Sequence, residues 1–90
     1  MNVLRQEQTD DAWDAIRIKA ELQRRDLSLA ELSRRNGYHA NSAARALRIS
    51  WPEMERIIAD ALNEKPEELW PDRYLDGVPR KYLPRKQTGG

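Results

Sequence analysis

Signals that start and stop helices follow one another so closely between Leu27 and Pro71 that this stretch can be built only from short helices. Ser28-Leu29-Ala30-Glu31 has the form of a capping box, in which a serine hydroxyl and a glutamate three residues on satisfy the free amides of a helix start. Leu27 and Leu32 stand where a hydrophobic staple would close that start. Asn36-Gly37 ends this helix, because glycine takes the positive φ of a helix end at no steric cost. A new helix is expected from near Ala40 to around Ile49. Ser50-Trp51-Pro52-Glu53 repeats the capping logic, with Ile49 and Met54 as a second staple and Pro52 in the first turn, where no intrahelical donor is lost. Lys65-Pro66 opens a last short turn that Pro71 stops.

Upstream, a first helix is expected from about Asp10 to Arg25, capped by Thr9, with Asp10 and Asp11 at the positive end of its dipole and Arg24 and Arg25 at the negative end. Ala15, Ile18 and Leu22 mark its buried side, with Trp13 and Ile16 beside it; Ile57, Ile58, Ala61 and Leu62 do the same for the fourth helix. Helix formers dominate and no strand pair is visible, so the fold class expected is all-α, with four to five short helices. Ninety residues bound the chain to one domain. It divides into a flexible N-terminus (1–8), a helical domain (9–75) and a disordered basic tail (76–90), where Gly, Pro, Lys, Arg, Gln and Thr follow without periodicity.

Several function classes drop out on composition. The chain has no cysteine and one histidine, so neither a disulfide framework nor a thiolate metal site can form, and no metal or cofactor is expected. No apolar run approaches the roughly 20 residues that cross a bilayer, and a soluble cytoplasmic protein with no membrane partner is expected. The carboxylate pairs Asp10-Asp11 and Glu67-Glu68 sit at expected helix starts, where the dipole accounts for them. With no nucleophile beside a base and no phosphate-binding glycine loop, nothing supports an enzyme or a small-molecule ligand. Trp13, Trp51 and Trp70 read as core or rim packing.

The net charge of +1 hides an uneven distribution. Residues 27–50 carry four basic side chains against Glu31 alone, and residues 71–90 carry five against two, while 51–70 hold two basic against six acidic. A polyanion would therefore be drawn to particular faces. The basic stretch 27–50 also contains two short helices joined at a glycine turn, the second rich in small and polar side chains, which is the helix-turn-helix pattern. Ser33 is small where the two helices should cross, Ala43 and Ala46 allow close approach, and Tyr38 and Leu47 should lie on the core. That leaves Asn41, Ser42, Ala44, Arg45 and Arg48 pointing outward. An arginine can pair two donors with guanine and an asparagine can pair donor and acceptor with adenine, so Arg45, Asn41 and Ser42 are the candidate base-reading residues. Ser28 at the helix start, Arg34, Arg35, His39 and Arg48 are the candidate phosphate contacts. The plainer reading is an αα-hairpin in a protein-binding adaptor, with Arg34-Arg35 as a solvated face.

From Trp13 to Tyr74 the chain resembles the Ner family of small phage and prophage regulators. The resemblance is carried by Leu27-Ser28-Leu29, Leu32-Ser33-Arg34, Gly37-Tyr38, Ala44, Ala46-Leu47, Trp51-Pro52, Glu55, Ile57-Ile58-Ala59, Ala61-Leu62, Lys65-Pro66-Glu67 and Trp70-Pro71 with Arg73-Tyr74. It implies an all-helical fold like that of the λ-type repressors and binding to operators that control early phage genes and transposition. A regulator of this kind is expected to act on double-stranded DNA by occupancy, as a homodimer on neighbouring half-sites and largely as a monomer in solution. A host transcriptional activator of the same family is the alternative.

Overall fold

The computed structural model of the chain describes residues 12–83. Five short helices follow one another: α1 (Ala15–Arg24), α2 (Leu29–Arg35), α3 (Ser42–Ala46), α4 (Pro52–Ala61) and α5 (Pro66–Leu69). A 3-10 turn over Pro71–Arg73 leads into a two-stranded antiparallel hairpin, β1 (Tyr74–Leu75) and β2 (Val78–Pro79), and a second 3-10 turn over Arg80–Tyr82 follows. One cluster of buried side chains, led by Ile18, Leu22, Leu32, Met54, Ile58, Leu62 and Leu69, joins the helices around Ala43 and Ala46 of α3. Trp13, Trp51 and Trp70 lie partly buried against it. Among the described residues no helix is long and apolar enough to cross a membrane.

Helix ends show how the chain is cut into such short pieces. α1, α2 and α4 all close in the same way: the residue after the cap takes a left-handed conformation and the next amide reaches back to the carbonyl five residues earlier. Asp26 (φ 58), Gly37 (φ 82) and Asn63 (φ 60) are the left-handed residues, and the closing bonds are Leu27 N to Leu22 O, Tyr38 N to Ser33 O and Glu64 N to Ala59 O. Only the glycine announced itself in the sequence. Beyond its chain neighbours no atom lies within 4 Å of where a Cβ would stand at Gly37, so the penalty of a side chain there is conformational. Gly37→Ala is expected to cost about 1–2 kcal/mol in urea unfolding.

Helix starts agree with the sequence in two cases and differ in three, the third being α3, which spans Ser42–Ala46 and not the longer stretch expected from near Ala40 to around Ile49. Ser28 Oγ accepts from Glu31 N at 3.0 Å and caps α2, and Pro66 opens α5, as expected. The first helix begins at Ala15 and not near Asp10; Asp14 is its cap, accepting from Arg17 N at 2.8 Å, and Thr9, Asp10 and Asp11 lie outside the described residues. As first residue of α1, Ala15 is exposed, and Ile16 is also outside the core at 79 % exposure. The cap of α4 is Trp51 and not Ser50, and no side-chain oxygen of Ser50 serves it. Instead Glu55 reaches back one turn, its Oε2 accepting from Trp51 N at 2.6 Å. The expected staple does not close either, since Met54 is buried but Ile49 is about half-exposed.

A further correction concerns the segment after Asp76. Asp76-Gly77 is a two-residue turn with both residues at positive φ (53 and 81), the geometry whose twist matches that of a hairpin. It pairs Tyr74 with Pro79 and Leu75 with Val78. The chain then folds back on the start of α4, where Tyr82 Oη donates to Glu53 Oε2 at 2.6 Å and Lys81 Nζ donates to Ser50 O at 3.0 Å. The Tyr82 hydroxyl holds the Glu53 carboxyl below its ordinary range. Residues 76–83 are therefore part of the fold, and the expected tail beyond them, with Arg85 and Lys86, lies outside the described residues.

Candidate nucleic-acid interface

α2 and α3 pack together across the turn at Gly37, with Tyr38 standing edge-on to Trp51 at 5.6 Å beneath them. α3 has only five residues, too few to be stable in isolation, so its pose depends on what holds its two ends. At the N-terminal end Asn41 makes no side-chain cap. The cap comes from the preceding helix: the buried Ser33 hydroxyl accepts from Ala43 N at 2.9 Å and donates to Leu29 O at 2.9 Å. Ser33 was expected only to be small at the crossing, yet its hydroxyl joins the two helices. Ser33→Ala is expected to leave the buried Ala43 amide without a partner and lower stability by about 1–3 kcal/mol, read from denaturant midpoints at unchanged slope.

The C-terminal end is held by a residue far along the chain. Arg73 Nη1 donates to Ala46 O at 2.6 Å and Arg73 Nη2 to Leu47 O at 3.1 Å, so one guanidinium covers two successive carbonyls. Its third partner is Glu55, 2.9 Å away and fully buried. Tyr74 Oη donates to the other Glu55 oxygen at 2.7 Å, and burial together with that bond pushes the phenol well above its usual range, so it stays a donor. Trp70 lies 5.2 Å from the Arg73 guanidinium on a further side. Within the Trp70-Pro71-x-Arg73-Tyr74 signature, Arg73 and Tyr74 thus anchor the end of α3 through its carbonyls and Glu55.

With both ends held, the exposed face of α3 is set by helical geometry. Asn41, Ala44, Arg45 and Arg48 recur at intervals of three and four and are all exposed, while Ser42, Ala43 and Ala46 are buried. Ser42 was expected to point outward; at 6 % exposure it belongs to the inner face and is unavailable to a base. The spacing already said so, since Ser42 lies one turn before Ala46. The Arg45 and Arg48 side chains make no hydrogen bond or ion pair among the described residues. His39 is exposed with Nδ1 3.0 Å from Asn41 Oδ1, which steadies the Asn41 carboxamide at the edge of the same face. Arg34 and Arg35 are exposed in the last turn of α2 and share Glu31, at 3.8 Å and 3.0 Å. The Ser28 hydroxyl, also at the surface, already accepts the Glu31 amide. Among the described residues no group of His, Asp and Glu side chains is placed to hold a metal ion.

The arrangement presents a small-residue helix, flanked by basic side chains, as the kind of rod that enters a major groove. Residues 12–87 match the family model of winged helix-turn-helix DNA-binding proteins. The chain is 48 % identical over 65 residues to the negative regulator of transcription of Escherichia phage Mu, covering 72 % of this chain and 87 % of that protein. The solution structure of the Mu Ner protein superposes with a TM-score of 0.62 at 46 % identity, covering 72 % of this chain and 88 % of that one. This chain belongs to the Ner family. The family extends to bacterial relatives such as sugar fermentation stimulation protein B of Escherichia coli K12, 40 % identical over 83 % of this chain and 82 % of that protein. As a Ner-family member the chain is a DNA-binding transcriptional regulator whose partner is double-stranded DNA, and not an enzyme. The adaptor reading of the helix pair is set aside by that membership.

Proposed function

We propose that this Ner-family protein is a repressor that acts by occupying its operator and excluding RNA polymerase, with no cofactor and no chemical step. The observation that carries the reading is the exposed face of α3, where Arg45 and Arg48 stand without intramolecular partners beside Asn41. Arg45 is assigned to a guanine edge and Asn41 to an adenine edge. Arg48, His39, Arg34, Arg35 and Ser28 are assigned to phosphates. Arg34 and Arg35 are free to exchange Glu31 for phosphate, because exposed ion pairs of this kind contribute only about 0–1 kcal/mol. The relatives named negative regulators of transcription in phages Mu and D108 support repression; the genes we assign to its control are early phage and transposition genes, in the bacterial cytoplasm.

One five-residue helix reads only a few base pairs, so two protomers are needed on half-sites about one DNA turn apart. The protein is monomeric in solution and pairs on its site. The test is a footprint on the DNA upstream of its own gene, joined to transcription from that template. Protection overlapping the promoter, with falling transcript, is the expected result; protection elsewhere sinks operator occupancy. Affinity for the protected duplex is expected to fall steeply with salt, as phosphate contacts require. Activation is the second reading, favoured by the relative named a fermentation stimulation protein, and a rise in transcript on the same footprint would select it.

A further inference from the structure

We propose that Arg73, outside the helix-turn-helix, is a positioning residue for DNA recognition: its guanidinium sets the pose of α3 and so the alignment of Arg45 and Asn41 with base edges. This rests on the reading of α3 as the base-reading helix. Three observations carry it. The guanidinium fork spans the carbonyls of Ala46 and Leu47, the last residues before the chain leaves α3, so both the height and the tilt of that end are fixed by one planar group. The group is itself immobilised, since Glu55 binds it and is tied in turn to Trp51 N of α4 and Tyr74 Oη of the hairpin, with the Trp70 ring on another side. The Arg73 side chain is 17 % exposed, too little to serve as a phosphate contact, so its influence on DNA passes through α3.

Bidentate base reading tolerates misplacement of only about 0.5 Å and 10–20°, and a helix held at one end alone has more freedom than that. Lysine cannot replace the fork, because its donors radiate from a single atom and cannot serve two carbonyls and a carboxylate in one plane. Arg73→Lys should therefore keep a positive charge beside Glu55, and with it the fold, while releasing the tilt of α3. Stability and discrimination should separate.

The experiment uses the full chain and two probes: a duplex recovered by selection from a random-sequence pool, and a scrambled duplex of the same composition. Arg73→Lys is expected to reduce the ratio of the two affinities about tenfold, with binding to the scrambled duplex within about twofold of the unmodified protein. Amide exchange at Arg45–Ile49 should accelerate in the absence of DNA, while exchange in α4 holds. Ile18→Val serves as the control, lowering the melting temperature from α1 with the affinity ratio unchanged. Should Arg73→Lys fail to fold, Arg73→Gln combined with Glu55→Gln leaves no buried charge uncompensated and is expected to fold and to lose discrimination likewise. A folded variant of either kind with its affinity ratio intact, or a ratio that falls equally in Ile18→Val, overturns the proposal. If the unmodified protein prefers neither duplex, the reading of α3 falls first and takes this inference with it, a result distinct from intact discrimination in the variants.

Discussion

Glu55→Ala is expected to destabilise the fold by about 3–5 kcal/mol, a large part of the 5–15 kcal/mol that holds a domain of this kind together. The carboxylate is fully buried and accepts from Trp51 N, Arg73 Nη1 and Tyr74 Oη. Truncation leaves all three donors without their acceptor at once. It leaves a mostly buried guanidinium without its counter-charge, and an unpaired buried charge costs far more than the lost bond. The Trp51 amide at the start of α4 loses its acceptor in the same step. Urea unfolding followed by tryptophan fluorescence reads the effect directly, since Trp51 and Trp70 both adjoin the network. A loss below about 1 kcal/mol would mean that water replaces the carboxylate easily and that the network holds little.

Arg45→Ala is expected to cost about 1–3 kcal/mol on the selected duplex, roughly tenfold or more in affinity, and to relax preference at one base position. Nothing inside the protein depends on this side chain, so melting should not change. Arg35→Ala gives the contrast. It should weaken selected and scrambled duplexes alike and reduce the salt slope by about one, as loss of a phosphate contact does. Titration of both variants against both duplexes separates the roles, and equal losses for Arg45→Ala on the two would remove it from base reading.

Much of this was legible in the sequence because helix ends are local. A capping serine, a first-turn proline and a glycine after a helix each act within a few residues, and Ser28, Pro66 and Gly37 do what their types predict. Asp26 and Asn63 take the same left-handed place as Gly37, but side chains that tolerate that conformation without requiring it give no signal. The hairpin was within reach, since Asp-Gly between Leu75 and Val78 is a strong turn signal, but each strand has only two residues and so no period to detect. Glu55 gave a partial warning: it shares the buried face of α4 with Ile58, Ala59 and Leu62, and a carboxylate there demands a buried partner. Which partner was out of reach, because Arg73 lies 18 residues away and 27 from Ala46. Ser42 has the polarity of an outward residue but the spacing of an inward one, one turn before the buried Ala46.

α3 is clasped at one end by Ser33 and at the other by Arg73, and none of its outer side chains takes part in either clasp. Asn41, Ala44, Arg45 and Arg48 can therefore be substituted without loss of either clasp. On the proposed reading of α3, transplanting those four positions from one relative to another should carry the sequence preference across while the melting curve stays where it was.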